Sequence, residues 1–184
     1  AWNGRHSVSQ YPLGMPVLIA LFSMLGWKAI FLANVSVLLI GFGFFIRWLR
    51  SEKLHPAFSW LYLYYPTVVF YSRTIMSDVS CFALATIASF YFSRQRLFLA
   101  GFLIGVAAQF RNTMLLIFAG MFLGLLGLST SLREKISNVL RLLLGVAPGI
   151  TLLAAYNSMT TGNPFLTPYS LTKGQPLSIL FAPK

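Results

Sequence analysis

Long apolar stretches separated by short polar segments dominate this sequence and most constrain its fold. Hydrophobic residues make up 57% of the 184 residues, and charged residues only 9%. Soluble domains carry about 25% charged residues, so an ordinary soluble fold could not cover its surface with so few charges. A disordered chain needs a low hydrophobicity. The composition therefore indicates an integral membrane protein built of helices.

The charge balance is strongly basic, because 14 Lys and Arg oppose only three acids, Glu52, Asp78 and Glu134. A basic chain often binds nucleic acid. Here the cations are dispersed between apolar runs and form no patch in the sequence, so we expect no nucleic-acid partner. We expect membrane lipids to surround the chain instead.

Metal and cofactor chemistry finds little support in the residue types. The single cysteine, Cys81, lies in an apolar run and is expected to pack as a small apolar residue. One cysteine and two distant histidines, His6 and His55, exclude an intrachain disulfide and a Cys/His metal cluster. Phosphate-loop and nucleophile-elbow motifs are also absent. We therefore expect no metal and no other cofactor.

Residues 97–128 show how the spans can be counted. This run of about 32 residues would be roughly 48 Å long as one helix, too long for a single crossing. Arg111-Asn112 divides it into two short spans. The same treatment of the whole chain predicts an all-α, polytopic transmembrane bundle of about six spans. The predicted spans are residues 28–49, 57–72, 78–92, 97–110, 113–128 and 136–156.

The remaining segments complete one membrane domain, or part of one. Residues 15–26 are apolar but would reach only about 18 Å as a helix, which predicts an interfacial or re-entrant helix. Residues 1–14 and 157–184 are predicted outer loops. Pro148-Gly149 predicts a kink in the last span. No signal peptide is visible and no Met begins the chain, so we expect a piece of a longer protein.

The positive-inside rule orients the bundle. The cations expected on one side are clustered in short loops, which makes that side cytoplasmic, and they are Arg47, Arg50, Lys53, Arg94, Arg96, Arg133, Lys135 and Arg141. The other side, the outer face, receives Arg5, Lys28, Arg73, Arg111, Lys173 and Lys184.

Asp78 is the only acid predicted on the outer face, at the start of a span. An acid at membrane depth is costly and usually has a function or a charged partner. Asp is also a favoured helix N-cap and complements the helix dipole, so both roles stay open. Arg73, five residues earlier, is a candidate partner across the hairpin turn.

Arg111 lies between two apolar spans. One interpretation is a loop arginine that extends to the membrane interface. The other is a cation that binds phosphate oxygens in a recess, for which the guanidinium group is well suited. Lys28, Arg5 and His6 can add positive charge on the same face. If these residues converge, the site suits an anionic lipid headgroup.

Four segments resemble the GT-C class of glycosyltransferases that use lipid-linked sugars, in particular the bacterial branch related to protein mannosyltransferases and the lipid A aminoarabinose transferase. Tyr11-Pro-Leu-Gly-Met-Pro16 with the apolar helix that follows resembles the family's Tyr-Pro-Pro-Gly-x-Pro motif. Arg73 to Asp78 resembles its Arg-to-Asp segment. Residues 100–111 resemble its Gly-x-x-x-Gly helix pair with a closing cation, and residues 157–165 resemble its next outer loop.

The resemblance implies transfer of a sugar from a polyprenyl-phosphate donor to a lipid, glycan or protein acceptor on the outer face of the bacterial inner membrane, without a metal. It implies a catalytic base in an outer loop before Tyr11, cations on the leaving phosphate, and a second acid, Asp78, that positions the acceptor or the cations. The candidate substrate-binding residues are Arg5, His6, Tyr11, Lys28, Arg73 and Arg111.

The chain departs from the family pattern at two points. Leu13 replaces the second Pro of the motif, and residues 1–10 contain no acid, so the expected base would precede Ala1. Two other classes stay open. A transporter or lipid flippase would carry paired intramembrane charges or inverted repeats, and a non-catalytic membrane scaffold would leave the outer charges without a role.

Overall fold

A computed structural model describes residues 12–65, 68, 76–127 and 131–168 of the chain. Within these ranges every regular element is a helix, so the predicted all-α class is confirmed. The α-helices are α1 (Gly14–Ser23), α2 (Leu32–Ser51), α3 (Trp60–Leu63), α4 (Ser77–Ser93), α5 (Leu97–Ala108), α6 (Leu115–Gly127) and α7 (Leu132–Thr161). Short 3-10 helices lie at Trp27–Phe31, Pro56–Ser59 and Asn112–Met114.

Two of the described helical segments are long and apolar enough to cross a membrane. They are Trp27–Ser51, which joins a 3-10 turn to α2, and Leu132–Thr161. The other described helices are shorter, with 17 residues in α4 and 12 in α5. The predicted break at Arg111-Asn112 is confirmed, because α5 ends before it and α6 begins after it. The predicted span 57–72 is not one continuous helix in its described part, residues 57–65 and 68, because the 3-10 helix Pro56–Ser59 is followed by the four-residue α3, which ends at Leu63. Residues 66, 67 and 69–72 of this span lie outside the described residues.

Contacts between helices fix their directions. Asn34 near the start of α2 donates a hydrogen bond to the carbonyl of Met76, just before α4, and the rings of Phe44 and Phe90 farther along are 5.5 Å apart. Helices α2 and α4 are therefore parallel. Helix α5 is antiparallel to α4, because the Cys81 thiol near the start of α4 lies 3.8 Å from the carbonyl of Ala107 near the end of α5.

The same logic places α6 and α7. The Lys135 ammonium at the start of α7 donates to the carbonyl of Leu126 at the end of α6, over 3.1 Å. The bundle therefore has two ends. The Asp78 end is the end at which α4 begins and α5 ends. The Arg94 end is the opposite end, at which α4 ends and α5 and α7 begin.

Four glycines bring α5 and α7 into close parallel contact. A Cβ atom at Gly145 would overlap the backbone of Phe98, and one at Gly149 would overlap the backbone of Gly105. Gly101 is equally close to the backbone of α7. Each helix thus presents a Gly-x-x-x-Gly pair, and small residues at this spacing let helices approach closely in a lipid environment.

The main hydrophobic core lies between α4, α5, α6 and α7. Its central buried side chains are Ala88, Leu97, Ala100, Ile104, Met121, Leu125, Leu142 and Val146. Many large apolar side chains point outward instead, among them Leu21, Leu116, Leu123 and Leu144. Extended exposed apolar surface is rare on soluble monomers, and it supports association of these helices with a membrane.

Helix α7 corrects two predicted boundaries. It begins at Leu132, before the predicted start at residue 136, because the Ser131 hydroxyl and the Glu134 carboxylate form a capping box at its first turn. Glu134 is therefore a capping residue at the first turn of α7. The helix continues through Pro148 and ends at Thr161 before Gly162 in the left-handed conformation. Residues 157–161 are helical, so the predicted outer loop begins later than expected.

Candidate functional site

Asp78 and Arg111 form an ion pair at the Asp78 end of the bundle. The Nη1 group of Arg111 donates a hydrogen bond to Oδ1 of Asp78. It is the only ion pair between residues in the described ranges. The two side chains are far apart in sequence and belong to different helix junctions, so the fold itself brings together the acid predicted on the outer face and the cation predicted to bind phosphate.

Asp78 lies in the first turn of α4, where its negative charge complements the helix dipole. The N-cap residue is Met76, and no side chain caps this helix. The predicted N-cap role of Asp78 is therefore wrong, because the helix begins one residue before it at Ser77. Its carboxylate is available for Arg111 as a result.

Two buried polar residues hold the start of α4 against α2. The Asn34 amide donates to the carbonyl of Met76 over 2.8 Å, and the Ser80 hydroxyl donates to Oδ1 of Asn34, also over 2.8 Å. Both side chains are almost fully buried. These two bonds flank Asp78 in sequence and therefore fix the backbone from which its carboxylate projects.

Arg111 follows the end of α5 in extended backbone, with φ −153° and ψ 123°. The end of α5 is held on two sides. The Gln109 amide donates to the carbonyl of Gly149 on α7 over 2.7 Å, and the Gly14 amide of α1 donates to the carbonyl of Gln109 over 2.7 Å. Phe110 packs with Met15 and Cys81, which anchors the junction next to α4.

The guanidinium of Arg111 keeps free donor capacity beside Asp78. Its side chain is 52% exposed, against 23% for Asp78. A guanidinium has five N–H donors, and a carboxylate takes at most two of them in a bidentate pair. The remaining donors can bind an anion, while Asp78 fixes the direction in which they point.

An apolar groove of about 310 Å³ lies between α1, α5 and α7, and one of its lining residues, Phe110, directly precedes Arg111 in the chain. Its lining residues are Leu13, Gly14, Val17, Leu18, Leu21, Val106, Gln109, Phe110 and Leu152. The Pro-Leu-Gly-Met segment singled out in the sequence therefore meets the end of α5 at this groove. Gly14 is required there, since a Cβ atom would overlap the Phe110 ring and the Gln109 backbone.

The other predicted site residues have different outcomes. Lys28 lies in the 3-10 helix that leads into α2, on the same end as Asp78, with Nζ 5.7 Å from the ring centre of Trp27. It forms no ion pair with Asp78. Arg5, His6, Tyr11 and Arg73 lie outside the described residues, so their roles, including a contact of Arg73 with Asp78, stay predictions.

Three polar residues of this end were not singled out in the sequence. Asn34 and Ser80 position Asp78, and Gln109 joins α5 to α7. Polar side chains inside apolar stretches are the signal that marks Asn34 and Gln109. Oε1 of Gln109 and Oδ1 of Asn112, the residues on either side of Phe110-Arg111, are buried and accept no hydrogen bond from the described residues.

In the described part of the chain, no three His, Cys, Asp or Glu side chains come together as a possible metal site. No family model, curated protein or solved structure is significantly similar to this chain. The functional argument therefore depends on the site itself: an arginine that is fixed by an aspartate and follows the lining residue Phe110 of an apolar groove, at one end of a helical bundle.

Proposed function

We propose that this chain is the membrane-embedded part of a glycosyltransferase that moves a sugar from a polyprenyl-phosphate donor to an acceptor on the outer face of a bacterial inner membrane. We also propose that the chain crosses the membrane six times, and that it belongs to the GT-C class that its sequence resembles. The observation that carries it is the Arg111–Asp78 pair, with Arg111 directly after Phe110, a lining residue of the groove between α1, α5 and α7.

A lipid-linked sugar has an apolar chain, a phosphate group and a polar sugar, and the Asp78 end offers a matching group for the chain and one for the phosphate. The groove is lined almost entirely by apolar side chains and suits the first isoprene units. Arg111 lies directly after groove residue Phe110 and suits the phosphate.

In the proposed reaction the acceptor hydroxyl oxygen attacks the anomeric carbon of the donor sugar. The bond between that carbon and the phosphate oxygen breaks, and the polyprenyl phosphate leaves with the electron pair. Arg111 stabilises the negative charge that grows on this leaving phosphate. The hydroxyl proton goes to a carboxylate base, which the resemblance places in an outer loop before Tyr11, while Asp78 positions Arg111.

The test is sugar transfer by the full-length protein, purified in detergent and supplied with a polyprenyl-phosphate-linked sugar. We expect Arg111→Ala to lose at least about 100-fold in kcat/KM, which corresponds to removal of one transition-state hydrogen-bond donor. Asp78→Asn should lose a similar factor, because the charged partner that fixes the Arg111 guanidinium is gone. Arg133→Ala removes a cation at the opposite end of the bundle and should keep full activity.

Full transfer activity in both Arg111→Ala and Asp78→Asn would overturn the assignment of this site. Movement of the lipid-linked sugar across a vesicle membrane without any glycosylated product would overturn the enzyme proposal and favour a flippase. Equal losses in the Arg133→Ala control would show a general effect of charge removal and would also count against the site.

A further inference from the structure

A separate cavity, lined by charged and aromatic side chains, lies at the Arg94 end of the bundle, opposite the proposed active site. Its volume is about 410 Å³, and its lining consists of three arginines and three aromatic residues: Arg47, Arg94, Arg96, Phe44, Phe90 and Tyr91. None of the three acids of the chain lines it. The cavity is thus a concentration of positive charge that the proposed glycosyl transfer does not use.

The fold, and not the sequence order, creates this cluster. Arg47 lies near the end of α2, and Arg94 and Arg96 lie in the turn between α4 and α5. Because α2 and α4 are parallel and pack through Phe44 and Phe90, their ends meet. The turn itself is tight, with Gln95 at φ 56° and the Arg96 amide bonded to the carbonyl of Tyr91 over 2.9 Å.

Two of the three arginines lie beside aromatic rings, and none of the three is paired with an acid in the described part of the chain. The guanidinium of Arg47 lies 5.6 Å from the centre of the Phe44 ring, and that of Arg94 lies 5.7 Å from the centre of the Phe90 ring. Neither they nor Arg96 form an ion pair with an acid of the described ranges. Three like charges around one cavity repel each other, and a bound anion relieves that repulsion.

We infer that this cavity binds the phosphodiester headgroup of an anionic phospholipid. Guanidinium groups bind phosphate oxygens in a bidentate manner. The cavity opens where helices α2 and α4 end, which is the predicted membrane surface, and basic pockets between helices at such a surface suit phospholipid headgroups. The aromatic walls suit the glycerol and upper acyl region of the same lipid.

The experiment measures thermal unfolding of the purified full chain in a neutral detergent, with phosphatidylglycerol, phosphatidylcholine or inorganic phosphate added in separate titrations. The variant Arg47→Gln/Arg94→Gln/Arg96→Gln removes the three cavity charges. The control Arg133→Gln/Lys135→Gln/Arg141→Gln removes three charges predicted on the same side of the membrane but outside the cavity.

We expect phosphatidylglycerol to raise the unfolding temperature of the unmodified chain and of the control, with a half-maximal effect at similar lipid concentrations. Each basic residue at a membrane surface contributes about 1 kcal/mol to anionic lipid binding, or about fivefold in affinity. The triple cavity variant should therefore bind phosphatidylglycerol about 100-fold more weakly. If the triple variant does not fold, the single variant Arg94→Lys replaces it in the test. This variant keeps the charge but loses the guanidinium group, and it should bind phosphatidylglycerol severalfold more weakly.

Three outcomes would overturn the inference. An equal stabilisation by phosphatidylcholine would show that the headgroup charge is irrelevant. An equal stabilisation by inorganic phosphate would identify a free anion, and not a lipid, as the ligand. An equal loss in the control variant would show a diffuse surface effect. None of these results bears on sugar transfer, so this inference and the proposed function can fail independently.

Discussion

The side chain of Arg111, which follows the end of α5, forms an ion pair with Asp78 in the first turn of α4. This contact joins the two residues that the sequence marked most clearly, an acid and a cation on the face predicted to be extracytoplasmic. It also gives each of them a physical role, because Asp78 fixes the arginine and the arginine keeps donors free for an anion.

The pair should matter more for activity than for stability. Partly exposed ion pairs contribute about 1 kcal/mol or less to folding, so Asp78→Asn should lower the unfolding temperature only slightly. The exchanged variant Asp78→Arg/Arg111→Asp can restore an ion pair but should not regain sugar transfer, because the cation then projects from the first turn of α4, where it also opposes the helix dipole. Thermal unfolding and transfer assays on the same preparations check this. Recovery of transfer in the exchanged variant would contradict the positional role of Arg111.

The glycine contact between α5 and α7 should be the most sensitive packing site. Gly145→Ala places a Cβ atom on the backbone of Phe98, and overpacking of this kind costs about 1–3 kcal/mol. Gly43→Ala on α2 is the matched control, since a Cβ atom there meets open space and Ala favours helix formation. Unfolding followed by circular dichroism should show a loss for Gly145→Ala alone. Equal stability of the two variants would show that α5 and α7 do not pack through these glycines.

Gly14 should control donor affinity through the position of α1. In Gly14→Ala the new methyl group overlaps the Phe110 ring and the Gln109 backbone, so α1 must move away from the groove. We expect a KM for the lipid-linked donor that is about tenfold higher, since about 1.4 kcal/mol of binding energy is lost. Gly120→Ala on α6, where a Cβ atom has no neighbour, should leave KM unchanged. An unchanged KM in Gly14→Ala would show that the position of α1 does not affect donor binding.

The orientation of the bundle can be measured by cysteine labelling. Cys81 is buried, and its replacement by Ala gives a chain without cysteine. Single cysteines at Met24 and Thr113, near the Asp78 end, should react with a membrane-impermeant maleimide on intact cells. Cysteines at Lys53 and Gln95, at the Arg94 end, should react only after permeabilisation. All four positions are exposed. The reverse labelling pattern would invert the proposed topology, and labelling at both ends from outside would exclude a spanning bundle.

Helix positions could be predicted well from the sequence where a charge or a proline ends an apolar run. The division of residues 97–128 at Arg111 is an example, because an arginine is costly in the membrane centre and therefore marks a helix boundary. The start of α7 was predicted too late. The capping box of Ser131 and Glu134 places two charged residues of the predicted polar segment inside the first turn, and charge alone does not distinguish a first helical turn from a loop.

The sequence alone determined that the chain is helical, apolar and divided into two charged ends, because hydrophobic run length and charge placement are local properties that do not require knowledge of distant contacts. Only the tertiary structure decided which charges meet. Asp78 forms an ion pair with Arg111 at the junction after α5, and Arg47 lines the same cavity as Arg94 and Arg96 where α2 and α4 end. Such contacts depend on helix rotation and close approach, which are set by small residues such as Gly14, Gly105 and Gly149 and leave no signature in charge or hydropathy.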